Sequence, residues 1–248
     1  MKRSIAWLCA LHLFGNALIL WLGYYWLGIG ESDASHLAWS ALVVLVFLCS
    51  GLWLHGTALA LFEHETTLNL AATSALRNLL PLSVIGIAAV MFYGVLAYWH
   101  DSFAHTAFVI ASYTTMKLRR PVPPANVLRA FHGFIWVLRW LVVPMLLLPL
   151  AAAVANVGWH GFRARSLRRC TNLLYWLEVC ALLLLAIWVP LKLLSWIPQF
   201  SSFWMQFSSF LGRLALGYLL FVSGLLSLEF LTSAGKPRFI QASTLSSP

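Results

Sequence analysis

His12 and His55 stand inside long apolar stretches, where an imidazole is costly to place and therefore a functional candidate. His12 follows Ile5, the start of the first stretch, by seven residues, and His55 precedes Phe62, the end of the second, by seven. On antiparallel helices rising 1.5 Å per residue, both imidazoles lie ~10 Å from the same membrane boundary. Such a pair could bind a haem iron axially or hold a transition-metal ion. The competing reading makes each a satisfied buried histidine donating to a neighbouring carbonyl. That plainer reading is favoured, because no further ligand motif accompanies the pair and Cys49 lies too far along the second stretch.

The densest local group of metal-type ligands is His100, Asp101 and His105. On one helix Asp101 and His105 would be four apart and face together, which suits a divalent ion. Without a cysteine or further acid nearby, a polar turn between apolar segments accounts for them better. The charged residues Glu178, Lys192 and Glu229 fall within apolar stretches. Glu178 and Glu229 lie near one end of the fifth and sixth stretches, and Lys192 and Arg213 near the other, so these helices cannot neutralise each other. Arg168 and Arg169 are close enough in sequence to serve Glu178. A carboxylate facing the bundle could carry protons or a cation, although a snorkelling interfacial anchor is the simpler role. Arg163, Arg165, Arg168 and Arg169 place four guanidinium groups within seven residues. They either set topology or hold anionic lipid headgroups. Topology is favoured, since Trp159, Tyr175 and Trp176 are ordinary interfacial anchors.

No catalytic residue is assigned: G-x-S-x-G, H-E-x-x-H and P-loop spacings are absent from the sequence. Cys9, Cys49, Cys170 and Cys180 show no C-x-x-C spacing and read as small hydrophobes. No cofactor is assigned beyond the haem alternative.

The elements that must position these residues follow from composition. The 248 residues are 61% hydrophobic and 9% charged, with a mean hydropathy of +0.84; soluble domains carry about 25% charged residues. Six apolar runs approach the ~20 residues that cross a bilayer's hydrocarbon core: Ile5 to Ile29, Leu37 to Phe62, Leu79 to Trp99, Phe134 to Val157, Leu173 to Ile197, and Leu214 to Leu231. The expected fold is an all-α polytopic transmembrane helix bundle of six spans plus short interfacial helices. It forms a single membrane domain over 1–231, followed by a Ser-rich, disordered cytoplasmic tail over 232–248. The first run is too long for a signal-peptide core and carries His12 and Asn16, so it reads as a retained span.

The net charge of +9 implies anionic lipid headgroups rather than nucleic acid, because most basic residues sit in short loops beside apolar runs. Lys2 and Arg3 put the N-terminus inside, and six spans put both termini in the cytoplasm, in a cytoplasmic (inner) membrane. Nine cations then fall inside (Lys2, Arg3, Arg77, Arg163, Arg165, Arg168, Arg169, Lys236, Arg238) against four outside (Lys117, Arg119, Arg120, Arg129). A variant in which Phe103 to Met116 also crosses, and Pro144 and Pro149 fold 140–157 into a re-entrant hairpin, would put all thirteen inside. Span length favours the plain six-span arrangement. Amphipathic stripes over 199–213, 129–139 and 69–77 each read as an interfacial helix leading into a span. The function expected from this is a non-enzymatic accessory or small-solute transport component of the membrane. The alternative is a membrane redox protein with haem on His12 and His55. No protein partner is indicated.

Overall fold

The computed structural model describes residues 2–30, 32–64 and 67–233. Every regular element among them is helical: α1 (Lys2–Leu27), α2 (Ala34–His64), α3 (Leu68–Arg77), α4 (Leu79–Ser102), α5 (Ala104–Leu118), α6 (Pro124–Val137), α7 (Val143–Val157), α8 (Leu173–Leu183), α9 (Val189–Ser195) and α10 (Phe203–Ser233). Six helical stretches are long and apolar enough to cross a bilayer: Ser4–Leu27, Ala34–Glu63, Leu79–Ser102, Pro124–Gly161, Leu173–Ser195 and Phe203–Ser233. The chain is an all-α polytopic bundle. In lipid, helices that satisfy their own backbone are one of the two structures able to span. The many exposed Leu, Phe, Trp and Val side chains are the surface such a bundle offers to acyl chains.

Two prolines in mid-span are accommodated by the same device. A proline removes one backbone donor and its ring crowds the carbonyl four residues back. For Pro144 that residue is Trp140, inside the π-helical turn Leu138–Val142; for Pro190 it is Ala186, inside the π-helical turn Leu184–Trp188. Widening one turn opens the space the ring needs and lets the helix continue. The helix accordingly runs on from Pro124 to Gly161, so 140–157 does not double back as a hairpin. Helix α5 has 15 residues, ~22 Å at 1.5 Å per residue, and is not among the six. Residue Arg119, at φ 50°, ends it.

Of the three expected interfacial helices, only α3 is a separate element. Stripe 129–139 is absorbed into the helix that becomes α7, and residues 203–213 are the first turns of α10, whose 31 residues are unbroken. Serine and glycine in these turns do not stop the helix, although most of 203–213 is exposed. Of the tail expected over 232–248, Thr232 and Ser233 are helical at the end of α10; 234–248 lie outside the described residues.

The chain divides into two compact units, the described parts of Met1–Ser83 with Leu148–Pro248, and Val84–Leu147. In the second, Leu96, Ile135 and Val143 form the core, with Tyr93, Phe131, Leu138 and Leu147 against them, and the Tyr93 hydroxyl donates to the Arg139 carbonyl at 2.7 Å. In the first, Leu8, Ala58, Ala60, Leu61 and Ala71 are buried together, with Phe62, Leu68 and Leu226 packed on them. Small residues let its backbones approach, as expected where burial from water cannot drive association. A Cβ added at Gly224 would stand 2.4 Å from the Ala186 Cβ, and one at Gly15 would stand 2.9 Å from Leu54 Cδ2. Gly158, at φ +58°, closes α7 in the left-handed region; a side chain there would also meet the Asn78 amide oxygen at 2.8 Å.

Candidate functional site

Three helices of the first unit bring His12, His55 and Glu229 to one level. Leu8 lies one turn before His12 on α1, Ala58 three residues beyond His55 on α2, and Leu226 three residues before Glu229 on α10; all three belong to the same apolar cluster. Helical side chains three and four apart share a face, so the packing of that cluster fixes the three polar residues as its neighbouring layer. The register of α10 is pinned on both sides. The Tyr218 hydroxyl donates to the Leu13 carbonyl, the Ser233 hydroxyl to the Leu59 carbonyl at 3.2 Å, and the Phe62 and Phe230 rings meet edge to face at 5.5 Å.

His55 Nδ1 and Glu229 Oε1 are 2.5 Å apart, and His12 Nε2 stands 3.9 Å from Glu229 Oε2. The imidazoles meet edge to face with centroids 5.3 Å apart. His12 is fully buried, the Glu229 side chain is 4% exposed, and His55 is 34% exposed. Among the described residues, His12 Nε2 and Glu229 Oε2 are buried with no hydrogen-bond partner of good geometry, although the His12 ring also interacts with the Leu54 backbone. Leaving such a group unsatisfied costs about 1–3 kcal/mol, and here two orphans face each other across a gap too long for a hydrogen bond. Behind His12, Asn16 Nδ2 donates to the His12 carbonyl at 2.9 Å and lies 3.4 Å from ring Nδ1. One donor atom each from His12, His55 and Glu229 lies within 4.8 Å of the others. A buried carboxylate between two imidazoles is a donor set for a cation.

Comparison with family models, curated proteins and solved structures finds no match to this chain.

The pairing of His12 with His55 follows the equal-depth argument from sequence. That argument missed Glu229 as their partner, although the same depth count puts it near the same boundary. Asn16 carried no signal beyond its position one turn after His12. The local cluster is divided between two elements: Asp101 is on α4, which ends at Ser102, and His105 on α5, which begins at Ala104. His100 instead stacks on His132 at 3.8 Å between centroids, while Asp101 and His105 are exposed.

Glu178 is exposed on α8, and among the described residues it makes no ion pair. Its expected partner Arg169 turns elsewhere, donating to the Leu231 carbonyl at 3.4 Å and the Ser233 carbonyl at 3.1 Å. A cation on the last carbonyls of α10 complements the helix dipole. Burial pushes the Arg169 guanidinium below its ordinary pKa, opposed by the nearby Glu63. Arg213 does the same for α9, donating to the Leu193 carbonyl at 3.2 Å and to that of Trp196. Arg163, Arg165 and Arg168 are exposed, and the Lys192 ammonium sits 5.7 Å over the Trp188 ring. Asn156 donates to Glu63 and to the Ala152 carbonyl at 2.8 Å. At the start of α2, Ser35 and His36 hydrogen bonds hold the exposed Asp33 carboxyl down at about 2.

Proposed function

We propose that the protein is a small-solute transport component of a cytoplasmic membrane, with both termini cytoplasmic, and that its solute is a cation engaged by Glu229 between His12 and His55. One observation carries this reading: a carboxylate buried inside a span, with one oxygen unpartnered and facing an unpartnered ring nitrogen. Ionisable groups at such depth are expensive and mark ion pathways when they face the bundle interior. The haem alternative has less support, because an axial pair needs its rings on opposite faces of a porphyrin. Here the rings meet edge to face at 5.3 Å with a carboxylate beside both. In this reading the exposed Arg163, Arg165 and Arg168 orient the chain and meet anionic headgroups, while Arg169 secures the end of α10.

The test is cation flux into vesicles holding the purified full chain, with sodium, potassium, magnesium, calcium, zinc and cobalt each tried as the solute. Flux above that of empty vesicles, abolished in Glu229→Gln, supports the reading. No cation flux, or flux unchanged in Glu229→Gln, overturns it.

A further inference from the structure

We infer that His12, His55 and Glu229 form a site for a divalent metal ion of borderline softness, zinc or a late first-row transition metal, and not for magnesium, calcium or an alkali cation. This rests on the reading of the centre as cation-handling and names the class of cation.

The donor set makes the selection. Two imidazole nitrogens and one carboxylate suit zinc, cobalt, nickel, copper or ferrous iron, whereas magnesium and calcium require shells of oxygen. Donor atoms from all three residues already lie within 4.8 Å of one another. Zinc bonds to histidine and carboxylate are about 2.0–2.2 Å, which at the tetrahedral angle sets a bound nitrogen and oxygen about 3.4 Å apart. His12 Nε2 and Glu229 Oε2, at 3.9 Å, need close by only about half an ångström. An ion there satisfies both buried orphans and takes the place of the His55–Glu229 hydrogen bond. Three protein donors leave at least one coordination position open, unlike closed four-donor structural sites. That fits a metal that must arrive and leave.

Asn16 is the positioning residue. A histidine that binds metal through one nitrogen donates its other N–H to an acceptor that fixes the ring. The Asn16 amide lies 3.4 Å from His12 Nδ1, and turning it end for end presents Oδ1 to the Nδ1–H that a metal-bound Nε2 requires, in exchange for the Nδ2 bond to the His12 carbonyl. Asn16 is 4% exposed, so no solvent role competes with this one.

The experiment is isothermal titration of the full chain, purified in detergent without a polyhistidine tag, using the chloride salts of zinc, cobalt, magnesium and calcium. The expected result is one zinc or cobalt ion per chain, a visible absorption band for the cobalt form, and no magnesium or calcium uptake. Glu229→Gln and His12→Gln lose the site, and Asn16→Leu, which removes no ligand, weakens zinc binding ~10–100-fold. Should either ligand variant fail to fold by circular dichroism, the Asn16→Leu shift still decides the matter. No zinc or cobalt bound by the native chain, equal uptake of magnesium, or affinity unchanged in these variants overturns the inference. Zinc bound at this site without flux in vesicles removes the transport reading and leaves the metal site. Glu229-dependent sodium or potassium flux without zinc or cobalt binding removes the metal site and leaves the transport reading.

Discussion

Each unit of the molecule holds a pair of histidines, and the two pairs are built differently. His100 and His132 stack face to face at 3.8 Å with their planes 25° apart. Stacked rings send their nitrogen lone pairs outward in parallel planes, so they pack as aromatic discs. His12 and His55 meet at 66° and both address Glu229, so their lone pairs can converge on one point. The pair with the denser sequence neighbourhood, His100 beside Asp101 and near His105, is the one that does not converge. What distinguishes a ligand site is the direction of lone pairs together with burial of an acid, neither of which local density measures.

That contrast can be tested by breaking each side in turn. With zinc at a hundred times its dissociation constant, the native chain should gain about 2.7 kcal/mol against unfolding. Glu229→Gln should gain none, while His100→Gln and Asp101→Asn should keep the full gain in thermal melts. Without metal, Glu229→Gln should melt below the native chain, since it removes one partner of the buried His55–Glu229 pair, a change that costs up to about 3–5 kcal/mol. The packing of α10 against the π turn Leu184–Trp188 is tight and should be intolerant. Gly224→Val should destabilise the fold by about 1–3 kcal/mol and weaken metal binding with it, because the new side chain meets Ala186. In the other unit Gly94 and Gly133 have open space where a Cβ would go. Alanine there should be tolerated or stabilise by about 0.5–1 kcal/mol, checked by the same melts.

A smaller effect is expected at the stacked pair itself. His132→Ala should cost about 0.5–1.5 kcal/mol, and His132→Phe, which keeps a stackable ring, less than that; neither should alter the zinc titration. Smallest of all is the Asp33 cap. Because its carboxyl is held below the ordinary value, its stabilisation is complete above the usual carboxylate range and is lost only as pH falls towards about 2. The protection of the Ser35 and His36 amides against hydrogen exchange, corrected for the intrinsic rate at each pH, should therefore hold at mildly acidic pH and fall only near that value.

Sequence carried the fold further than the site. Hydropathy runs and charge spacing locate the six spans because lipid requires long apolar helices whatever their partners. The ends are less legible: the polar stripe over 203–213 looks like a separate interfacial helix, yet the backbone of α10 runs through it, since nothing there breaks a helix. Pro144 looks like a hinge, and only the backbone shows the π turn that absorbs it. At the site, depth arithmetic matches His12 to His55 because both are counted from the same boundary. It could have included Glu229, but not the angle of the rings or the 3.9 Å gap, which depend on how α1, α2 and α10 close up, with Gly15 against Leu54 between the first two. Arg169 was similarly opaque: Glu178 is its neighbour along the chain, while the carbonyl end of α10 is its neighbour in space.

The most direct measurement is X-ray absorption at the metal edge of the zinc-loaded full chain. Two imidazole nitrogens and carboxylate oxygen at about 2.0–2.2 Å are predicted, with one imidazole contribution lost in His12→Gln and none lost in His100→Gln. A shell of oxygen alone, or imidazole scattering that survives His12→Gln and falls in His100→Gln, would contradict the assignment of the centre to α1, α2 and α10.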